Sequence, residues 1–305
     1  GVYGMALLSA PHGSAFPALR EARLNESGDA SLDRIYVEYN DILLAKTAPS
    51  GAREAAVAAI FSAAPNADQL VFRNVRHEMA QAIEFAAEKA GLEYERLNET
   101  PTFQISLTQG GLLESVSPSL RAKIRRSIRR YEERGPVWVD IPENAGGRAV
   151  AWTELMRLHS ETWAQRGVRG AFHERAFCAF HEALTEAHAP QTSFVRLLAG
   201  SDTIGVLYNL LDGDCVRNYQ SGFRYESDNQ LAPGFVAHAL AAECYREQGY
   251  HTYDMMGGDA DYKRRLGCEG EKLTTIAVTR KGWRTRARSA LKALSPFHGA
   301  GKRQT

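Results

Sequence analysis

Cysteine is scarce and unorganised. Cys178, Cys215, Cys244 and Cys268 are the only four in 305 residues, and none stands in a CxxC or Cys/His zinc spacing. That excludes a disulfide scaffold and a zinc domain, and a reducing, cytoplasmic setting is expected. No apolar run approaches the ~18 residues of a membrane helix. The opening GVYGMALLSAP lacks the basic segment of a signal peptide, and its start at Gly1 instead of Met is expected of a trimmed chain. Charge of one sign is not in excess either: 37 Lys and Arg face 36 Asp and Glu, which argues against a general polyanion binder while leaving local patches open. What is present, 44% hydrophobic and 24% charged residues, suits a globular protein long enough for two cores and excludes disorder, collagen and coiled coil.

The first hundred residues read as alternating strands and helices. RIYVEY (34–39) is rich in β-formers, 52–63 is an Ala-rich helix, 69–75 a strand, and 77–90 a helix stopped by Gly91. Two extended stretches follow at 92–97 and 102–107. This is a mixed α/β unit that starts partway through. Next comes a helix with Ser117 as N-cap, Pro118 at its first position, an apolar stripe of Leu120, Ile124 and Ile128, and Gly135-Pro136 as its stop. Its other faces carry Arg121, Lys123, Arg125, Arg126, Arg129, Arg130 and Arg134. A solvated, salt-bridged face and contact with an anionic ligand or acidic surface are both compatible with that density.

From Val137 a second α/β unit is expected: a short strand (137–141), a helix bearing Trp152, Leu155, Met156, His159 and Trp163, and another bearing Phe177, Phe180, His181 and Leu184. Three strands (193–199, 203–211, 215–222) then turn at Gly200-Ser201-Asp202 and Asp212-Gly213-Asp214. A helix opens at Pro233-Gly234, and strands at 251–256 and 273–279 close the unit around a loop.

This order, with the blocks LHSETWAQRG (158–167), YQSGF (219–223), APGF (232–235) and YDMMGGDADYK (253–263), resembles the CelD-type, FemAB-like acyltransferases of the GNAT superfamily. The resemblance implies an α/β fold with mixed sheets: two GNAT-like modules in tandem, the first incomplete at its N-terminus, its opening elements upstream or lost. Boundaries are expected at 1–115 (partial module), 116–136 (basic linker helix), 137–280 (complete module) and 281–305 (basic tail). The implied activity is transfer of an acyl or aminoacyl group to an amine, from acyl-CoA, an acyl carrier protein or aminoacyl-tRNA, without a metal.

Amide formation needs an anchored donor, a neutral amine and hydrogen-bond donors for the oxyanion. By the resemblance, donor phosphates would meet the start of the helix after the third strand, through Gln230, Ala232 and Gly234, where Pro233 stands in place of one N–H donor. Gly257 and Gly258 permit close backbone approach to a ligand. Asp254, just before them, is either a proton acceptor or the cap of the following turn. Lys263 is assigned by resemblance to a donor phosphate, an oxyanion or an acceptor anion, and Tyr262 to protonating the leaving group. His159 is either a hydrogen-bonded core residue or a general base. Tyr219 and Ser221 alternate on one face of the third strand, and the resemblance implies that they face the central cleft where the sheet splays, Tyr219 as a catalytic candidate. Arg166 is a candidate dipole partner at a helix end, and Glu38, Tyr39 and Asn40 end the expected strand near a cleft.

In the tail, Arg280, Lys281, Arg284, Arg286, Arg288 and Lys292 alternate with Trp283, Ala287, Leu291, Leu294 and Phe297. That is the pattern of a cationic amphipathic helix, docked on the protein or lying on a membrane surface. The leading expectation is an acyl-CoA- or acyl-carrier-dependent N-acyltransferase acting on a small-molecule or lipid amine. The alternatives are an aminoacyl-tRNA-dependent transferase, whose tRNA would meet the basic helix, and a non-catalytic scaffold in polysaccharide or envelope synthesis.

Overall fold

The computed structural model describes residues 2–10, 18–29, 32–35, 37–187 and 189–294. Two units are drawn from residues 1–100 with 272–305, and from residues 101–271.

The first unit begins with β1 (Gly4–Met5), β2 (Glu21–Arg23) and β3 (Leu43–Leu44), and continues with α1 (Ala52–Ala63), β4 (Gln69–Val75), α2 (His77–Lys89) and β5 (Glu93–Thr100). Alanine makes α1 a strong helix former, and Val57, Ile60 and Phe61 are its buried face. In α2 the buried set is Met79, Ala80, Ala82, Ile83, Ala86 and Ala87. These side chains pack with Leu70, Phe72, Ile276 and Val278 in one core. Ile276 and Val278 belong to the late strand β13 (Leu273–Thr279), which lies between β4 and β5 and is antiparallel to both. The strand expected at 34–39 is absent among the described residues; Asn40 makes only an isolated bridge to Val75. Local side-chain bonds overrode β-propensity there. Asp33 accepts the N–H groups of Ser27 and Gly28, Tyr39 sits at φ 53, and the Asn40 amide donates to Leu24 O. Asn40 is therefore a buried structural residue, and Glu38 and Tyr39 do not end a strand.

The second unit contains β6 (Thr102–Ser106), α3 (Leu112–Ser115), α4 (Pro118–Glu132), β7 (Val137–Asp140), α5 (Ala145–Gln165), a 3₁₀ turn (Ala171–His173) and α6 (Arg175–Glu186). The meander β8 (Thr192–Ala199), β9 (Asp202–Asp212) and β10 (Cys215–Phe223) follows, then α7 (Pro233–Glu247), β11 (Thr252–Gly257), α8 (Asp261–Leu266) and β12 (Cys268–Glu269). The seven-stranded sheet runs β12-β6-β11-β10-β9-β8-β7. Its pairs are antiparallel except β10 with β11.

Period-two alternation sorts the sheet's faces. Phe194, Val206 and Tyr208 pack with Ala151, Trp152, Leu155 and Leu158 of α5. Val195, Leu197 and Leu207 pack with α4 and α7. The basic helix read as a linker is thus part of this unit, with Leu120, Ile124 and Tyr131 fully buried in the core. Strand β6, read as belonging to the first module, completes this second sheet, while β13 returns to the first. The loop expected after β11 contains helix α8. The chain ends its described part in α9 (Trp283–Leu294); the tail positions from Ser295 onward, Phe297 among them, lie outside the described residues.

Candidate functional site

Strands β10 and β11 pair only at Cys215/Thr252, Val216/Tyr253 and Arg217/Asp254, and then part. Both are irregular where they separate. On β10 the register with β9 skips from Asn218/Asn209 to Gln220/Tyr208, so Tyr219 is the extra residue of a bulge. On β11 the register with β6 jumps from Asp254 to Gly257, and Met256 stands at φ 61.

The bulge decides which side chains share a face. Asn218 and Ser221 are joined by a 2.9 Å hydrogen bond, and the chain continues through Asn209 and the Tyr245 hydroxyl to Ser193. Tyr219 instead lies against His181 and Phe177, with centroids at 5.2 and 6.0 Å. Tyr219 and Ser221 therefore do not share a face, contrary to simple alternation, because the extra residue shifts the pleat by one. Further along β10, Gly222 is obligatory: a Cβ there would stand 2.9 Å from both Leu155 O and Leu158 Cβ of α5.

At the edge of the parting, Asp254 is 5% exposed. Its Oδ1 accepts the Met256 N–H at 2.7 Å, and its Oδ2 stands 3.7 Å from Arg217 Nε. It caps the turn, one of its two expected roles, while presenting a carboxylate at the site. Lys263, on α8, is 8% exposed and donates to the carbonyls of Met256 (3.3 Å) and Gly257. Gly258 follows at φ 110, and a Cβ on it would lie 3.6 Å from Lys263 Nζ. The ammonium is thereby fixed beside a left-handed turn that suits glycine. Tyr262 stacks on His238 of α7, with centroids 5.6 Å apart and planes 13° from parallel. His238 is almost wholly buried, and its Nδ1 lies 3.0 Å from the Tyr253 hydroxyl. Burial, followed by the Lys263 charge, pulls its pKa down to about 3, so the imidazole is neutral. Burial also raises the Tyr253 phenol well above its ordinary value. His238 was not among the residues expected from sequence; its only signal is a histidine in an Ala-rich helix.

His159 lies apart from this group, on the α5 side of the sheet. It is 3% exposed, with its ring 4.6 Å from Phe172 and 5.6 Å from Trp163. Its Nδ1 has no hydrogen-bond partner among the described residues. Burial, then the Arg166 charge, lowers its pKa to about 4 against a hydrogen bond to Gln220. His181, also moved to about 4 by burial, meets the Tyr208 hydroxyl at 3.1 Å. Arg166 follows α5 with its guanidinium 5.4 Å from the Trp163 ring. The sequence candidates thus fall into three groups: Asp254, Gly257, Gly258, Tyr262 and Lys263 at the end of β11, His159 with Tyr219 in the aromatic cluster under the bulge, and Gln230, Ala232 and Gly234 at the start of α7.

The start of α7 has little backbone left for a phosphate. Gln230 N–H donates to Asp228 Oδ1 (2.9 Å), Leu231 N–H to Asp228 O (3.1 Å), and Ala232 N–H to Ser127 Oγ of α4 (2.9 Å). Pro233 has no N–H. Gly234 remains, against the Phe223 ring. Arg130 of α4 and Arg134, just past its end, brace this loop by pairing with Asp228 (2.9 Å) and Glu226 (2.7 Å). Arg130 and the Gln230 N–H hold the Asp228 carboxyl below its usual range. Lys123 and Arg265 flank the Phe235 ring at 5.3 and 5.0 Å. Arg125, Arg126 and Arg129 are exposed and form no ion pair among the described residues. No group of three or more His, Cys, Asp or Glu is placed to hold a metal among the described residues.

Comparison with known proteins agrees with this architecture. Residues 118–264, from α4 into α8, match the family model described as an acetyltransferase (GNAT) domain. No curated protein matches the chain at a significant level. Among solved structures, a C-terminal DUF2156 domain from Agrobacterium fabrum, assigned to a lysylphosphatidylglycerol synthetase, is 13% identical with a TM-score of 0.60. That likeness covers 96% of this chain and 84% of the other. FemX is 12% identical with a TM-score of 0.60, over 95% of this chain and 91% of its own. L-PGS from Bacillus licheniformis is 12% identical with a TM-score of 0.51, covering 83% and 80%.

Proposed function

From the GNAT acyltransferase domain of residues 118–264, we propose that the protein transfers an acyl group from an activated thioester or ester to an amine at the parting of β10 and β11. The observation that carries this reading is the grouping of Asp254, Tyr262 and Lys263 around the Met256–Gly258 turn where the two strands separate. The amine nitrogen attacks the donor carbonyl, a C–N bond forms, and the C–S or C–O bond breaks. Asp254 takes the amine proton. Lys263, anchored by two backbone carbonyls, supplies positive charge to the oxyanion. Tyr262 returns a proton to the leaving thiolate or alkoxide. Neutral His238 holds the Tyr262 ring by stacking. His159 and Tyr219 line the far side of the bulge and set its position.

The first donor reading is acyl-CoA or an acyl carrier protein, with Gly234, Gly257 and Gly258 approached by the donor, as in the CelD-type resemblance. A second reading, aminoacyl-tRNA, is favoured by one observation: the N–H groups of Gln230, Leu231 and Ala232 are engaged, while three exposed arginines stand free on the helix that braces the loop. The neighbour named for lysylphosphatidylglycerol synthesis supports a lipid acceptor. A donor screen tests the proposal, with labelled acyl-CoA, acyl carrier protein and aminoacyl-tRNA each offered with amine-bearing lipids and sugars. Label passing to an acceptor from one donor class confirms transfer and selects the donor; no transfer from any of them removes the reading.

A further inference from the structure

Helix α9 takes no part in the proposed transferase chemistry. Its root is firmly held. The Arg280 N–H donates to Asp68 O at 2.9 Å, the Arg280 guanidinium reaches the Phe61 and Ala64 carbonyls, and Thr285 Oγ1 caps the Gly282 N–H at 2.9 Å. Beyond that root the Arg284 guanidinium donates to Ala18 O at 3.4 Å and lies 5.1 Å from the Trp283 ring, yet none of the helix's described side chains is buried, and Trp283 and Leu291 are 66% and 44% exposed. At 100° per residue Trp283, Ala287, Ala290 and Leu291 form one stripe, while Arg284 and Arg288 occupy the neighbouring face. Arg286 and Arg288 form no ion pair among the described residues. From Arg280 to the last residue there are eight Lys and Arg and no acid, so the rest of the chain carries 29 cations against 36 acids.

We propose that α9 docks on an anionic lipid bilayer, lying in the interface with its Trp283–Leu291 stripe among the acyl chains and its arginines at the head groups. Charge complementarity selects this occupant. The tail carries cations and no acid on an otherwise net negative chain, so attraction to a negative surface acts on α9; the other basic helix, α4, has its Leu120 and Ile124 stripe buried in the core and offers a bilayer no apolar face. The apolar stripe decides against a nucleic acid, because RNA phosphates would engage the arginines and leave Trp283 and Leu291 in water. A bilayer takes up both faces at once. No helix among the described residues is long and apolar enough to cross a membrane, so the contact is peripheral. The inference does not depend on which donor or acceptor the enzyme uses.

Vesicle sedimentation of the full chain tests it. With phosphatidylcholine vesicles containing a minority of phosphatidylglycerol the protein pellets, tryptophan emission shifts to the blue, and added salt reverses both. With phosphatidylcholine alone it stays in solution. Trp283→Ala abolishes the blue shift. The double variant Arg286→Gln/Arg288→Gln lowers partitioning roughly 20- to 30-fold, at ~1 kcal/mol per cation and 1.4 kcal/mol per tenfold. Both variants melt at the parent temperature, because the altered side chains are not buried. Equal pelleting with both vesicle types, no pelleting with either, or variants that bind vesicles like the parent would overturn the proposal. A double variant that loses affinity for tRNA and keeps it for vesicles would overturn it in favour of RNA.

Discussion

Asp254 Oδ1 accepts the backbone N–H of Met256 at 2.7 Å, and Met256 holds a left-handed φ of 61. The carboxylate thereby stabilises a conformation that a non-glycine residue rarely adopts, in the turn that also receives Lys263. Asp254→Asn separates the two duties of this residue. The amide oxygen still accepts the Met256 N–H, so melting should shift by no more than a few degrees. The variant cannot take a proton, so turnover should fall ~100-fold or more. Parallel loss of melting temperature and activity would show that Asp254 is only the cap.

Lys263→Met should be more severe. Its loss removes the charge proposed to face the oxyanion and leaves the Met256 and Gly257 carbonyls without their shared donor. A fall in kcat of ~10²–10³ is expected, together with ~1–3 kcal/mol of stability from carbonyls left unpaired. Steady-state kinetics beside a urea melt distinguish the terms. An unchanged kcat in a destabilised variant would make Lys263 a structural clamp.

Three buried histidines set an acid limit on the fold. His159 and His181 are held near pKa 4 and His238 near 3, all chiefly by burial. Each is neutral in the native state and takes up a proton on unfolding anywhere below its ordinary value near 6.5. Their contribution is therefore complete above about pH 6.5, and it declines as pH falls toward 4, on the order of a few kcal/mol each. Melting temperature should drop steadily from pH 7 to 4.5, with His181→Phe flattening the slope. A melting temperature constant over that range would contradict the burial of these rings as uncharged groups.

Much of the second unit was legible in the chain. The meander turns, the α4 cap at Ser117 and the helix opening at Pro233 are local signals, and they fell where the spacing put them. Four features were not legible. The RIYVEY segment has strong β-propensity, but Asp33 and Asn40 bind neighbouring backbone, a competition that propensity does not register. The return of β13 to the first sheet is a long-range pairing with no local mark. The bulge at Tyr219 adds one residue to a strand that otherwise alternates cleanly, so it reversed the facing of Tyr219 relative to Ser221. His238 escaped notice for a related reason: on α7 it reads as one polar interruption, and only folding brings Tyr253 and Tyr262 to it.

The free arginines of α4 decide between the two donor readings. Arg125, Arg126 and Arg129 are exposed and unpaired among the described residues, whereas Arg130 and Arg134 brace Asp228 and Glu226. Replacing the first three with Gln therefore removes charge without removing a bond, and melting should not change. If they meet the phosphodiester backbone of tRNA, affinity should fall and the slope of log K against log salt should decrease by about 2–3, near 0.7–0.9 per lost contact. An acyl-CoA reaction at the β10–β11 parting should be almost unaffected by the same triple variant. Filter binding at several salt concentrations, run beside a CoA-release assay, gives opposite outcomes for the two donors. A triple variant that binds tRNA with the parent's affinity and salt slope removes the aminoacyl-tRNA reading of α4.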